Sequence, residues 1–307
     1  MTANRTSDML GKMAAELAAI KNELADVRVR YDMLHKRQVL PLDDGLLAIR
    51  HEIGWLIVPQ EDFAAVLHLS DGVSGHEKGT TEVIRRLIRL SDTVIDLGAH
   101  IGLHTIPMAR LVGPKGRVIA VEPVARTAEC LRRSLVCNGV LDRCNIVIGA
   151  AGEINGTSSF YLGGNSMLGS LYPIVDDQKL IGVREFVLDD DIGDEVRVDV
   201  VKMDVEGAEL KALAGMSRLI ARNPDIAVIA EYGAIHLERV GIEPADWFAA
   251  FANVGLAAAF VIDEASGALS EVEVTRMNEM YSVNILFVHN AQRVANIGSG
   301  SATPANQ

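Results

Sequence analysis

The chain has 307 residues, of which 49% are hydrophobic and 23% charged, and this composition suits one large α/β domain with an appendage, or two small domains. Its formal net charge of −12 at pH 7 argues against a nucleic acid or an anionic membrane as the main partner, because either would require a basic surface. The N-terminus lacks an apolar signal-like segment and no apolar run reaches the length of a bilayer span, so we expect a soluble, cytoplasmic protein.

An apolar seam with heptad spacing runs through the first 38 residues. Its members alternate spacings of three and four: Leu10, Met13, Leu17, Ile20, Leu24, Val27, Tyr31 and Leu34. In a parallel pair of helices, Glu16 would face Lys21 and Glu23 would face Arg28 of the neighbouring chain. The pattern predicts a coiled-coil oligomerisation helix over residues 1–38, and therefore a homo-oligomer. The alternative is one amphipathic helix that packs back on its own domain.

Residues 39–92 are predicted to lead into the core. Pro41 ends the first helix, Leu46–Arg50 and Trp55–Val58 suggest a hairpin, and an amphipathic helix follows from about Thr80 to Leu90. From Thr93 to residue 290, strands alternate with helices, which is typical of a mostly parallel sheet covered on both faces. Seven strands are predicted there: Val94–Leu97, Arg117–Glu122, Asn145–Ile148, Val198–Asp204, Ile226–Glu231, and a closing antiparallel pair, Ala257–Ile262 and Val283–Val288. We expect residues 291–307 to form a disordered tail.

The turn after the first of these strands resembles a nucleotide-binding turn, but it has only two glycines, Gly98 and Gly102, whereas the dinucleotide fingerprint has three. From Ile101 the apolar spacing is that of a helix. Ligands of open parallel sheets bind beyond the carboxyl ends of the strands, where Asp96, Glu122 and Asp204 are predicted to lie. Glu122 follows Gly98 by 24 positions, close to the spacing of an acidic residue that binds ribose hydroxyls.

These acidic residues disfavour a phosphate and favour a cationic ligand. S-adenosyl-L-methionine carries a ribose, an adenine, a sulfonium and an ammonium group but no phosphate, so it fits this turn better than NAD does. The three cysteines stand seven residues apart, and a zinc site would usually show closer pairs. We therefore assign no metal site from the sequence.

Several motifs resemble those of FkbM-type S-adenosylmethionine-dependent methyltransferases. The resemblance runs from roughly Glu77 to Glu231, and its most specific element is the segment Asp199–Glu209, which contains Asp-Val-Glu-Gly-Ala-Glu. The other matching stretches are Val94–Gly102, Val121–Pro123, Asn138–Gly139 and Val187–Asp189. It implies a Rossmann-like class I methyltransferase fold with a mostly parallel seven-stranded sheet. His100 departs from the family pattern, which usually has Asn at that position.

The residues expected to bind the cofactor follow from the turn, the strand ends and the resemblance together. They are Glu77, Asp96, Gly98, His100, Gly102, Glu122, Asn138, Ala150 and Asp204, with Asn138 and Ala150 near the expected position of the adenine.

The expected catalytic residues are Asp204, Glu206 and His236. Glu206 and Gly207 are predicted to open a helix, so Glu206 can simply favour the helix dipole. Alternatively, Asp204 and Glu206 bind substrate hydroxyls, accept a proton or hold a divalent cation. Glu209 is expected to be solvated. Lys202 can face the same side as Asp204, and a buried ion pair would account for it structurally.

The absence of an Asn-Pro-Pro-Tyr element and the resemblance favour an oxygen acceptor over an amino group. We expect an O-methyltransferase that acts on a hydroxyl of a sugar, a glycan or another small hydroxylated metabolite. The alternatives are a non-catalytic oligomeric scaffold that retains a cofactor-binding fold, and an NAD-dependent dehydrogenase.

Overall fold

The computed structural model describes residues 12–13, 16–21, 23–25, 27–28, 38–70, 77–163, 169–173 and 179–294. Its strands are β1 (Val39–Pro41), β2 (Leu46–His51), β3 (Gly54–Pro59), β4 (Thr93–Leu97), β5 (Arg117–Glu122), β6 (Cys144–Ile148), β7 (Ala150–Ala151), β8 (Gly156–Leu162), β9 (Gly169–Ser170), β10 (Lys179–Phe186), β11 (Val200–Met203), β12 (Ala227–Gly233), β13 (Ala258–Ile262), β14 (Leu269–Glu271) and β15 (Ser282–Val288). The α-helices are α1 (Phe63–Ser70), α2 (Lys78–Leu87), α3 (Thr105–Val112), α4 (Ala125–Cys137), α5 (Leu188–Asp191), α6 (Glu209–Ala214), α7 (Ser217–Arg222), α8 (Ala234–Val240) and α9 (Pro244–Asn253).

The central sheet has the strand order β14-β13-β15-β12-β11-β4-β5-β6. Strands β12, β11, β4, β5 and β6 pair in parallel, and β15 joins them antiparallel to β12. All seven predicted strands are present, and β13 and β15 form the expected antiparallel pair. The expected count of seven is corrected to eight in the described part of the chain, because the three-residue strand β14 adds an edge next to β13.

Two apolar cores cover the two faces of this sheet. Side chains alternate along each strand, so Val94 enters one core while Ile95 and Leu97 enter the other. Helices α2, α3 and α4 and the hairpin β2–β3 pack on the first face, and helices α5, α6, α7 and α9 pack on the second. Strands that are apolar on both faces need cover on both sides, and this requirement fixes the sheet as a buried layer.

The predicted hairpin is part of a three-stranded sheet, with β1 added along β2. The hairpin docks on helix α4, where two side chains at the end of the helix form hydrogen bonds with the backbone of β3. Asn138, at the C-terminal end of α4, accepts a hydrogen bond from the Trp55 amide at 3.2 Å and donates one to the Trp55 carbonyl at 2.7 Å. Ser134 accepts a bond from the Ile57 amide at 2.9 Å. Both side chains therefore serve as extra strand partners for β3.

A second, four-stranded sheet is inserted between β6 and β11. Its order is β7-β10-β8-β9, with β10 antiparallel to β8 over seven residue pairs. Phe160, Leu171 and Val183 of this segment form a small core with Ala150 and Ala208. We call β7–β10 the accessory sheet. It lies against the loops that follow the central strands.

The described stretches of the N-terminal segment, between residues 12 and 28, are helical. Their seam residues are exposed, with Leu17 at 58% and Leu24 at 67% of full accessibility. Leu10, Tyr31 and Leu34 of the predicted seam, and residues 295–307 of the predicted tail, lie outside the described residues. Within the described residues, no helix combines the length and the apolar character that a membrane crossing requires.

Candidate functional site

A cavity of about 690 Å³ opens at the carboxyl edge of the central sheet. Its floor comes from the loops after β4, β5 and β11, which is where open parallel sheets bind ligands. The volume lies within the range of small-molecule sites. Eight of the expected site residues line it: Glu77, Asp96, Gly98, His100, Glu122, Ala150, Asp204 and Glu206.

The glycine turn approaches the loop after β11 so closely that Gly98 has no room for a side chain. Its φ is +80°, and an added Cβ would lie 1.9 Å from the Asp204 carbonyl oxygen. His100 and Gly102 also have positive φ values, 48° and 105°. The positive φ of Gly102 prevents a helix from starting at Ile101, and α3 begins only at Thr105, which corrects the predicted start.

Gly102 does not line the cavity. An added Cβ at this position would meet the Leu131 and Ile106 side chains at 3.0 and 3.4 Å, so this glycine permits close packing against α4. The structure also places Asn138 away from the cavity, where it holds the hairpin. This placement corrects the expectation that Asn138 lies beside the adenine.

Glu122 ends β5 and is buried beneath the turn. One carboxylate oxygen accepts a hydrogen bond from the His100 amide and the other accepts one from the Val124 amide, each at 3.0 Å. Burial raises the pKa of Glu122 to about 7 although these two amides oppose the rise, and nearby Asp96 adds to it. Each oxygen keeps a second lone pair, so the carboxylate can accept further hydrogen bonds from a ligand.

Asp96 presents a free acceptor to the same cavity. Its Oδ2 atom accepts a hydrogen bond from the Thr105 hydroxyl at 2.6 Å. Its Oδ1 atom is buried and has no hydrogen-bond partner among the described residues. A buried carboxylate oxygen without a donor is costly, and a cationic or hydroxyl donor in the cavity would satisfy it.

A network of opposite charges lies beside Asp96. Lys202 is directly opposite Asp96 in the sheet, and its Nζ lies 3.0 Å from Asp204 Oδ2, which gives the buried ion pair considered from the sequence. Burial opposes the ionisation of Glu77, but Lys202 and a close contact from His104 hold its pKa well below the usual value. Asn284 also donates a hydrogen bond to Glu77 at 2.9 Å.

Glu206 follows β11 in a strained backbone conformation. Its φ is +54° and that of Gly207 is +97°, so neither residue opens a helix, and α6 begins at Glu209. This observation corrects the helix-dipole interpretation of Glu206. Non-glycine residues with such φ values are concentrated at functional sites.

His236 lies behind Glu206 and is not part of the cavity wall. Its Nε2 is 3.2 Å from Glu206 Oε2. Burial and then Arg239 lower the pKa of His236, while burial and then Asp204 raise the pKa of Glu206 to about 8. Both shifts favour neutral groups at pH 7, so this close contact joins two neutral side chains and is not an ion pair.

Glu231 is a cavity residue that sequence reasoning missed. It lies near the carboxyl end of β12, accepts a hydrogen bond from the Ser282 hydroxyl and shares another with Asp204. Burial and then Asp204 raise its pKa. Oxygen atoms of Asp204, Glu206 and Glu231 lie within 4.8 Å of one another. The rule that drew attention to Asp96 and Glu122, an acidic residue at a strand end, applies equally to Glu231.

Glu209 is buried, with 2% of its surface exposed, and not solvated as expected. One carboxylate oxygen accepts a hydrogen bond from the Gly207 amide at 3.1 Å. Burial raises the pKa of Glu209 to about 7 against the effect of these backbone amides. Because it does not line the cavity, its role is to hold the loop that carries Glu206.

The accessory sheet supplies an apolar surface opposite these carboxylates, which we call the apolar roof. Phe160, Leu162 and Leu171 line the cavity there, together with Val205 and Ala208 of the loop after β11. Gly163 and Gly169 also line the cavity on this side. An apolar roof over a carboxylate floor suits a ligand with one apolar and one polar side.

Comparison with known proteins identifies similar sequences and folds. The family model of the methyltransferase FkbM domain matches residues 96–257, a little over half of the chain. A catechol O-methyltransferase of Mycobacterium tuberculosis is 41% identical over 58 residues, which cover 19% of this chain and 26% of that protein.

Two solved structures with similar folds are also methyltransferases. A SAM-dependent O-methyltransferase from Thermotoga maritima has a TM-score of 0.42 and 14% identity, over 82% of this chain and 85% of its own. The O-methyltransferase from Bacillus cereus in complex with SAH has a TM-score of 0.43 and 14% identity, over 75% and 87% of the two chains.

Proposed function

Because this chain belongs to the methyltransferase FkbM domain family, we propose that it transfers a methyl group from S-adenosyl-L-methionine to a hydroxyl oxygen of a sugar, a glycan or another small hydroxylated molecule. The observation that carries the proposal is the set of three carboxyl groups, Asp204, Glu206 and Glu231, in the same cavity as Glu122.

The cavity residues fit the cofactor of this family. The Glu122 carboxylate has lone pairs available for two ribose hydroxyls, and the unpartnered Oδ1 of Asp96 suits the ammonium group. Gly98 lets the turn approach the loop after β11, since any side chain there would collide with the Asp204 carbonyl. When bound, the cofactor supplies an electrophilic methyl group.

The residues of this chain would then orient the acceptor and manage its proton. Asp204 is kept ionised by Lys202, which offsets its burial and lowers its pKa, so it can accept a hydrogen bond from a hydroxyl. Glu206, held by His236, provides a second polar contact. The apolar roof of Phe160 and Leu171 would exclude water, so that the acceptor rather than water meets the methyl group.

Assembly through the N-terminal helix is part of the same proposal. The exposed apolar side chains of the described seam, such as Leu17 and Leu24, support contact with a second copy of the chain rather than with its own domain.

The acceptor class is tested by transfer of labelled methyl groups from S-adenosylmethionine to panels of sugars, glycolipids and hydroxylated metabolites. Label on an oxygen of a hydroxylated compound is the expected result. Exclusive transfer to amines would overturn the proposed acceptor class. Calorimetric titration with S-adenosylhomocysteine and with NADH separates the alternatives: tight NADH binding would indicate a dehydrogenase, and cofactor binding without any transfer would indicate a scaffold.

The roles of Asp204 and Glu206 are tested with Asp204→Asn and Glu206→Gln at saturating cofactor. We expect both substitutions to lower turnover much more than S-adenosylhomocysteine affinity, because their oxygens face the acceptor side of the cavity. Glu271→Gln, an exposed acidic residue on β14, is the matched control and should change neither quantity. Equal and small effects on turnover and affinity would show that the two carboxyl groups are structural.

A further inference from the structure

The carboxyl groups of Asp204, Glu206 and Glu231 form a compact set of oxygen ligands. One ligand atom from each residue lies within 4.8 Å of the others, a spacing that a single ion can bridge. They come from the loop after β11 and from β12, two neighbouring parallel strands. All three residues line the cavity, so their oxygens are accessible to an ion from solvent.

Asn284 provides an independent indication that this set binds a ligand. It is 4% exposed, and its Oδ1 atom has no hydrogen-bond partner within the described chain. Its amide nitrogen is held by Glu77 at 2.9 Å and by Glu264 at 3.3 Å, which identifies the free atom as the oxygen. Asn284 lies directly opposite Glu231 in the β12–β15 pair and lines the same cavity, so the two side chains project from the same face of the sheet.

Each of the three carboxyl groups is also contacted by a neighbouring side chain that is not itself a candidate ligand. Lys202 contacts Asp204 Oδ2 at 3.0 Å, His236 contacts Glu206 Oε2 at 3.2 Å, and the Ser282 hydroxyl donates to Glu231 Oε1. Each of these contacts engages one carboxyl oxygen, and Asp204 and Glu231 also share a hydrogen bond that a bound ion would replace. Metal-binding carboxylates are typically oriented in this way by an outer layer of hydrogen bonds.

We propose that Asp204, Glu206, Glu231 and the amide oxygen of Asn284 bind one divalent cation of the Mg²⁺ or Mn²⁺ type. Four oxygen ligands without nitrogen or sulfur suit such hard cations, which retain water or substrate oxygens at their remaining positions. Its use in catalysis rests on the proposed function: the cation would orient an acceptor hydroxyl and lower its pKa. The sequence offers a divalent cation as one alternative for Asp204 and Glu206, but it does not indicate Glu231 or Asn284, which come together only through the pairing of β12 with β15.

The test measures Mn²⁺ binding to the full chain after a chelator has removed any bound metal. Electron paramagnetic resonance measures the concentration of free Mn²⁺, and the difference from the total gives the bound ion. No cofactor or acceptor is present, so the result does not depend on the methyl-transfer proposal. We expect one Mn²⁺ per chain, with Glu231→Gln and Glu206→Gln weakening binding by about tenfold or more. Glu271→Gln is the control that should bind Mn²⁺ unchanged.

Ser282→Ala provides a milder variant. Ser282 is exposed, and its substitution removes only the hydrogen bond from its hydroxyl to Glu231. It should weaken Mn²⁺ binding by about tenfold while thermal unfolding stays as in the parent chain. The proposal is overturned if the parent chain binds no stoichiometric Mn²⁺ up to about 1 mM, or if folded Glu231→Gln and Ser282→Ala bind it as well as the parent. Methyl transfer that persists in chelator would remove the catalytic role while leaving the binding result intact.

Discussion

The protonation state of Glu122 should control cofactor affinity. Burial raises its pKa to about 7, and ribose hydroxyls donate most strongly to an ionised carboxylate. Binding below this pKa therefore requires the loss of a proton, and S-adenosylhomocysteine affinity should fall by up to about tenfold per pH unit there and level off above it. Titration calorimetry across this range measures the dependence.

Glu122→Gln should remove most of this pH dependence and weaken binding by about 1.5–3 kcal/mol, because a charged acceptor is lost. Glu129→Gln, in an exposed ion pair on α4, is the control and should keep the parent profile. An unchanged pH profile in Glu122→Gln would show that another group causes the dependence.

Glu209 should contribute to stability through its buried hydrogen bond. Glu209→Ala leaves the Gly207 amide without its acceptor, and we expect a loss of about 1–3 kcal/mol in the free energy of unfolding. The folded-state pKa of about 7 lies above the ordinary value of 4.5, so the protonated form favours folding at low pH. This contribution disappears as pH rises from about 4.5 to 7, and Glu209→Gln should lack that trend in urea titrations. Equal stabilities of Glu209→Ala and the parent would contradict the structural role.

At the scale of elements, the glycine turn is tightly constrained by the loop after β11. Gly98→Ala would place a Cβ 1.9 Å from a backbone oxygen at a φ of +80°. We expect a lower melting temperature and loss of S-adenosylhomocysteine binding, because the backbone near Asp204 must move. Gly139→Ala is a matched control: its φ is +66°, but nothing lies within 4 Å of an added Cβ. It should cost only the conformational strain, about 1–2 kcal/mol. Similar effects for both substitutions would contradict the close approach.

The strands and the boundaries near the site differ in how well the sequence predicts them. Arg117–Glu122 was predicted at its observed bounds, because a β-branched apolar run between turn residues is a local signal. The starts of α3 and α6 were misplaced, since apolar spacing does not reveal the positive φ values of Gly102 and Glu206. The accessory sheet was not predicted, because most residues of β8 and β10 are exposed or half-buried and the two strands lack a continuous apolar run.

The site residues likewise divide into those with a local sequence signal and those whose position depends on how the chain folds. The sequence predicts that Asp96, Glu122 and Asp204 lie together because strand ends converge on one edge of a parallel sheet, and all three line the cavity. Asn138 was misassigned, since its hydrogen bonds to Trp55 depend on how the hairpin docks. Asn284 gave no local signal, and only its position opposite Glu231 brings it to the cavity.

For the whole molecule, the N-terminal helix should decide the state of assembly. An isolated heptad segment of this length gains little stability as a single helix and needs a partner for its apolar seam. A chain that begins near Pro41 should therefore be a smaller assembly and still bind S-adenosylhomocysteine. Replacing Leu17 and Leu24 together with Glu should have the same effect, because like charges would meet in the seam.

Light scattering on the parent, shortened and doubly substituted chains measures the number of subunits. Lys12→Gln, at an exposed position outside the seam and its flanking charge pairs, is the control and should preserve the assembly. Equal subunit numbers in the parent, shortened and doubly substituted chains would show that the helix packs on its own domain.

The accessory sheet has a consequence for how such an enzyme can change over evolution. The part of the cavity proposed to hold the cofactor is built from loops that pack closely, as at Gly98, where a side chain would collide with the Asp204 carbonyl. The roof comes from an insertion whose strands pair mainly with one another, and Phe160 and Leu171 can vary without disturbing the central sheet. Selection for a new acceptor can therefore act on this insertion while the methyl-donor half is inherited unchanged.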